Sequence, residues 1–67
     1  MKTGAPVEVF SRFERSWVRG FVLVREERDP EGTVTWRWVR RISDRTDLPQ
    51  PFPRAEVRAS VVAASIA

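Results

Sequence analysis

The chain has no cysteine, no histidine and no tyrosine, and Lys2 is the only lysine among its 67 residues. A domain of this length buries only about 60% of the surface that its unfolded chain exposes. Without cysteine or histidine, neither disulfides nor the usual zinc sites add to its stability. The same absences remove the side chains that ordinarily titrate near neutrality, so the inventory points away from catalysis and no catalytic residue is assigned. There is no glycine-rich phosphate loop, nucleophile elbow or metal-ligand spacing, and neither a metal nor a small-molecule cofactor is expected. No stretch reaches the ~20 apolar residues of a membrane-spanning helix, and the opening MKTGAPVEV lacks the apolar run of a signal peptide. The expectation is a cytoplasmic protein that does not engage a membrane.

Aromatic side chains and arginine are what the chain does have. Phe10, Phe13, Trp17, Phe21, Trp36, Trp38 and Phe52 are its large hydrophobic groups, and a core this small is expected to draw heavily on them. Twelve basic residues against nine acidic ones leave a net charge of +3, and eleven of the twelve are arginine. A basic balance favours phosphate or acidic partners, although a GC-rich genome also enriches arginine over lysine. The carboxylates Glu26, Glu27, Asp29 and Glu31 gather around one turn and are read as exposed hairpin charge.

Local patterns describe an all-β chain. Val7 to Phe10 alternates apolar and polar residues, with Pro6 at a position that suits the start of a strand. Trp17 to Arg25 is rich in β-branched and aromatic residues, and Gly20 in its middle signals a bulge or bend. Asp29-Pro30-Glu31-Gly32 has the residues of a tight turn in the right order. It leads into a third strand over about Thr33 to Ile42. Ser43 to Thr46 reads as another turn, followed by a short strand around Thr46 to Leu48. The prolines at 49, 51 and 53 make a stiff extended connector, and Ala55 to Ser60 forms a last strand. Residues 1–5 are read as a flexible N-terminus, 6–60 as the domain, and 61–67 as an apolar tail.

The series Val7-x-Val9, Trp17-Val18-x-Gly20-x-Val22-x-Val24, a hairpin, Val39-Arg40-Arg41, Leu48-Pro49 and Glu56-Val57-Arg58 resembles the Tudor and Src-homology-3 (SH3)-type small barrels. That resemblance implies a five-stranded antiparallel barrel acting as a binding module. The methyl-amine cage typical of Tudor modules requires aromatic side chains on two loops. Ser11, Arg12, Arg41, Ser43 and Asp44 stand there instead, and only Phe13, with Phe10 or Trp17, is available as a wall.

Two binding readings follow. In one, Arg12, Arg19, Arg37, Arg40, Arg41 and Arg45 follow the phosphate backbone of DNA or RNA, with Arg19, Arg25, Arg37 and Arg41 forming a stripe on neighbouring strands. In the other, Phe13, Trp17, Trp36 and Trp38 anchor a protein partner, and the apolar tail drives self-association. Period-two alternation sets Trp36 and Trp38 on one face of the third strand, with Arg37, Val39 and Arg41 on the other. Val39 and the tryptophans cannot all turn inward unless a bulge shifts the register.

Overall fold

The computed structural model describes residues 1–60; the apolar tail, 61–67, lies outside the described residues. The strands are β1 (Pro6–Ser11), β2 (Ser16–Arg28), β3 (Val34–Arg41), β4 (Thr46–Asp47), β5 (Phe52–Pro53) and β6 (Val57–Ala59), with a 3-10 turn at Arg54–Glu56. They form an antiparallel sheet in the order β4-β3-β2-β1-β6, and β5 also pairs with β3. The Asp29 turn closes as its residues require: the Gly32 N–H donates to the Asp29 carbonyl at 2.9 Å, and Gly32 takes a positive φ of 86°. The Asp29 carboxylate adds to it by accepting from the N–H groups of Glu31 and Thr33.

Two irregularities in β2 set the phase of the sheet. Val7 faces Phe21 while Val9 faces Val18, so Glu8 lies opposite both Arg19 and Gly20. Gly20 has φ 101°, a conformation that favours glycine, and it marks the bend foreseen from the sequence. A second bulge at Val24 separates the pairs Leu23↔Val39 and Arg25↔Trp38. Leu23 and Val39 therefore turn inward, whereas Arg25 and Trp38 meet on the outer face. The stripe expected from Arg19, Arg25, Arg37 and Arg41 does not form, because Val24 inverts the phase between Leu23 and Arg25.

The fully buried core is aliphatic: Val7, Val9, Leu23, Val39 and Val57, with Phe21, Leu48 and Phe52 packed against it. None of the tryptophans belongs to it, contrary to the expectation of an aromatic core. Val39 takes the inward face of β3, and its neighbours Trp36 and Trp38 must then face outward. The Pro49–Pro53 connector also contains structure that its prolines concealed. Pro53 and Phe52 pair with Trp36 and Arg37 along the outer edge of β3, where a residue without an N–H is tolerated.

The hydrogen-bonded ladder stays open, whereas the sequence pointed to a closed five-stranded barrel. Both β4 and β5 sit on the same edge of β3, and β6 pairs only with β1 among the described residues. One side chain spans the break. Arg37 Nε donates to Glu26 Oε2 at 2.9 Å, while its Nη1 donates to the carbonyls of Arg54 at 3.0 Å and Val57 at 2.9 Å. At the other end, residues 1–5 are tied to β2 through Gly4 N–H to the Leu23 carbonyl and Leu23 N–H to the Ala5 carbonyl. The terminal ammonium lies 3.7 Å from Glu26.

Burial raises the Glu26 pKa, but the Arg37 hydrogen bond, the terminal ammonium and Arg28 outweigh it and hold the carboxyl below its ordinary value. A carboxyl depressed in the folded state stabilises the protein above its unfolded pKa, and that contribution is lost as pH falls through the folded one. The Glu26 side chain is only 8% exposed. Arg37→Leu, which strands this carboxylate, should lower the unfolding free energy at pH 7 by about 2–4 kcal/mol. Urea denaturation should also show a smaller loss of stability in the variant than in the wild type between neutral pH and the carboxylate range. An unchanged midpoint at pH 7 would contradict this role for Arg37.

Candidate binding groove

Ser11 and Ser16 pair directly, so only Arg12 to Arg15 remain to turn the chain between β1 and β2. Ser11 Oγ accepts the Glu14 N–H at 3.2 Å, and Arg15 completes the turn with a left-handed φ of 54°. This turn lifts Phe13 off the sheet and leaves it 97% exposed. Across from it, prolines keep residues 49–53 extended. Phe52 turns toward the core, and Pro51 and Pro53 are left as walls.

Between the turn and the proline segment lies a groove of about 660 Å³. Val9, Val18 and Phe21 from β1 and β2 line it together with Phe52, and Trp36, 44% exposed, contributes from β3. Phe13 and Pro51 rise beside them. At one end, Arg12 donates from Nε and Nη2 to Glu56 Oε2 at 3.0 and 2.6 Å, tying the β1–β2 turn to the 3-10 turn. Both Arg12 and Glu56 line the groove, as does Glu14.

The proposed protein anchors thus divide. Phe13 and Trp36 belong to the groove, and Trp17 and Trp38 do not. Trp17 packs edge-on against Phe10 with ring centroids 5.6 Å apart, beneath the Arg58 guanidinium at 4.0 Å. Trp38 lies under Arg25 at 4.6 Å, and its indole N–H donates to Glu27. It lines a second, smaller depression of about 380 Å³ with Leu48 and Pro49. These stacks cover Trp17 and Trp38 with arginine rather than leaving them bare. Trp17 therefore offers no cage wall beside Phe13 in the groove.

Five of the six arginines assigned to nucleic acid lie in ion pairs with carboxylates of the chain. Arg12 holds Glu56, Arg19 approaches Glu8 at 3.8 Å, and Arg37 is the strap across the open ladder. Arg40 bonds to Asp47, and Arg41 grips Asp44 through two bonds of 3.1 and 2.8 Å. The Arg41 bond leads in holding the Asp44 carboxyl down at about 2. Arg45 alone of the six has no carboxylate within ion-pair distance among the described residues; it ends its turn in a left-handed conformation with φ 56°. Glu8, buried beneath Arg58 at 2.8 Å, is a further pairing that residue type did not reveal.

The second wall is not legible in the local pattern: Pro51, Phe52, Pro53 and Glu56 have the residue types of a connector and a strand, and it is the packing of Phe52 against the core that turns them into a wall. Among the described residues, no helix is long and apolar enough to cross a membrane, and no group of three metal-binding side chains occurs.

Acrylamide should quench the tryptophan emission unequally. Removing the exposed indole with Trp36→Phe should eliminate most of the readily quenched component and leave the stacked Trp17 and Trp38 comparatively protected. Quenching as steep as in the wild type would place the accessible indole elsewhere. Comparison with protein-family models, curated proteins and solved structures finds no match to this chain.

Proposed function

We propose that this chain is a non-enzymatic binding module of the SH3-like, Tudor-like small-barrel type, and that it holds an extended segment of a partner protein in the groove between the β1–β2 turn and the proline segment. The observation that carries this reading is Phe13: a phenylalanine 97% exposed at the tip of a turn, beside the exposed Trp36. Leaving such a ring in water forfeits roughly 2–3 kcal/mol of burial, and the fold gains nothing from placing it there. Aromatic anchors in a concave, largely apolar site are the usual carriers of binding energy. The barrel assignment draws support from the 3-10 turn that leads into a last strand paired with the first, and from the Arg37 strap that joins β3 to that turn and to the last strand.

An interface with DNA or RNA has less behind it. Arg12, Arg19, Arg25, Arg28, Arg37, Arg40, Arg41 and Arg58 each lie within 4 Å of a carboxylate, so most phosphate contacts would first have to break an internal pair. Self-association through the tail rests on residues outside those described.

Peptide selection from a random dodecamer library, followed by anisotropy titration of the selected sequences, tests the groove. Phe13→Ser and Trp36→Ser should each weaken binding by about 10-fold or more. Both variants should keep a melting temperature close to that of the wild type. The proposal fails if no peptide is enriched, or if the selected peptides bind both variants as well as they bind the wild type. Tight, steeply salt-dependent binding of oligonucleotides in a parallel titration, without any peptide binding, would favour the phosphate reading instead.

A further inference from the structure

Residues 61–67 lie outside those described, but the described residues fix where that segment starts and in which direction the chain enters it. β6 runs antiparallel to β1, with Val57 opposite Val9 and Ala59 opposite Val7, and the Ser60 N–H donates to the Pro6 carbonyl at 3.0 Å. The groove takes its β1 residues from the other end of that strand, beginning at Val9, and continues into the turn at Phe13. The chain therefore leaves β6 heading away from its own groove.

Composition suits the segment to an apolar site. Val61-Val62-Ala63-Ala64-Ser65-Ile66-Ala67 completes a run without a charged side chain, residues 59–67, that is the longest in a chain 31% charged. Held extended, it would bring Val62, Ala64 and Ile66 to one face, with a branched side chain at each end. The groove meets such a face with Phe13, Trp36 and Pro51, and its Arg12–Glu56 pair is already neutral. Glu14 is the one lining charge without an ion pair among the described residues. It stands exposed in the turn, where water solvates it, and asks nothing of the occupant.

Return of the segment to its own groove would require a reversal directly after Ser60. A turn of that kind takes four residues and favours glycine, proline, asparagine or aspartate, none of which occurs in residues 61–67. The remainder would span only about 10 Å fully extended. That is roughly the distance back from Pro6 to Val9, and it leaves nothing to lie along Phe13 and Trp36.

Resting on the groove reading above, we infer that the partner is a second copy of this chain: residues 61–67 of one copy lie extended in the groove of another, with Val62 and Ile66 against Phe13 and Trp36. A closed pair with two-fold symmetry makes the same contact twice. Two short apolar segments then act together, each raising the effective concentration of the other.

Sedimentation equilibrium of the full chain tests this. Its weight-average mass should rise above that of the monomer with concentration, and the rise should persist in high salt because the contact is apolar. Phe13→Ser, which damages the groove, and Ile66→Asp, which puts a charge into the segment, should each weaken association by about 10-fold or more. Mixed together, the two variants should associate more tightly than either does alone, since one supplies an intact segment and the other an intact groove. A chain that stays monomeric at near-millimolar concentration would overturn the inference. So would association that Ile66→Asp leaves unchanged, or a mixture no tighter than its components. The library selection, repeated on Ile66→Asp so that no segment of the chain competes, decides the groove reading separately. Peptides enriched on a monomeric chain would leave the groove standing without a second copy as its partner, and no enrichment on a monomeric chain would remove both.

Discussion

The hydrogen bonds of Arg37 hold together parts of the sheet that the backbone ladder leaves apart. A single guanidinium on the inner face of β3 meets Glu26 on β2 and the carbonyls of Arg54 and Val57, where the chain crosses from β5 to β6. Those three partners come from the middle and the end of the sequence. Removing a charged side chain from water is costly, and the cost is offset only when each polar group nearby finds a partner. Here they do: no buried side-chain nitrogen or oxygen lacks a hydrogen bond among the described residues. The same placement decides what lies outside, because Arg37 and Val39 facing inward oblige Trp36 and Trp38 to face outward.

The groove follows from that choice of face. Trp36 turns outward at the point where β5 pairs with β3, so its indole stands beside Pro53 and Phe52. The short β1–β2 turn then brings Phe13 to the same groove, and the Arg12–Glu56 pair fixes that turn to the 3-10 segment. Little of the arginine content is left free. Arginine in this chain serves mainly to cover tryptophans, as Arg25 and Arg58 do, and to neutralise carboxylates across strands. A net charge of +3 thus says less about phosphate binding than about how a chain without cysteine or histidine satisfies its acidic residues.

Much of the fold was legible in the sequence. The Asp29-Pro30-Glu31-Gly32 turn, the bend at Gly20 and the strands on either side of them depend on local backbone preferences, which residue types report directly. The conflict between Val39 and the tryptophans was legible as well, but not its outcome, which rests on Leu23 and Val39 meeting across strands. The bulge at Val24 carries no glycine and no proline, and nothing local announces it. Pairing by β5 was hidden because a run of prolines signals extension without naming a partner strand. Of the site, Phe13 and Trp36 are legible in the sequence as aromatic anchors, whereas their wall of Pro51, Phe52 and Pro53 depends on three-dimensional proximity.

The direction of the Arg37 side chain can be read without any ligand. In a 15N–1H correlation spectrum that resolves arginine Nε–H groups, Arg37, assigned through Arg37→Lys, should give a sharp signal that exchanges with solvent far more slowly than that of exposed Arg45. Acidification through the Glu26 titration should erode that protection. An Arg37 Nε–H that exchanges as fast as Arg45 would mean that β3 presents its other face to the core, and the groove built on Trp36 would fall with it.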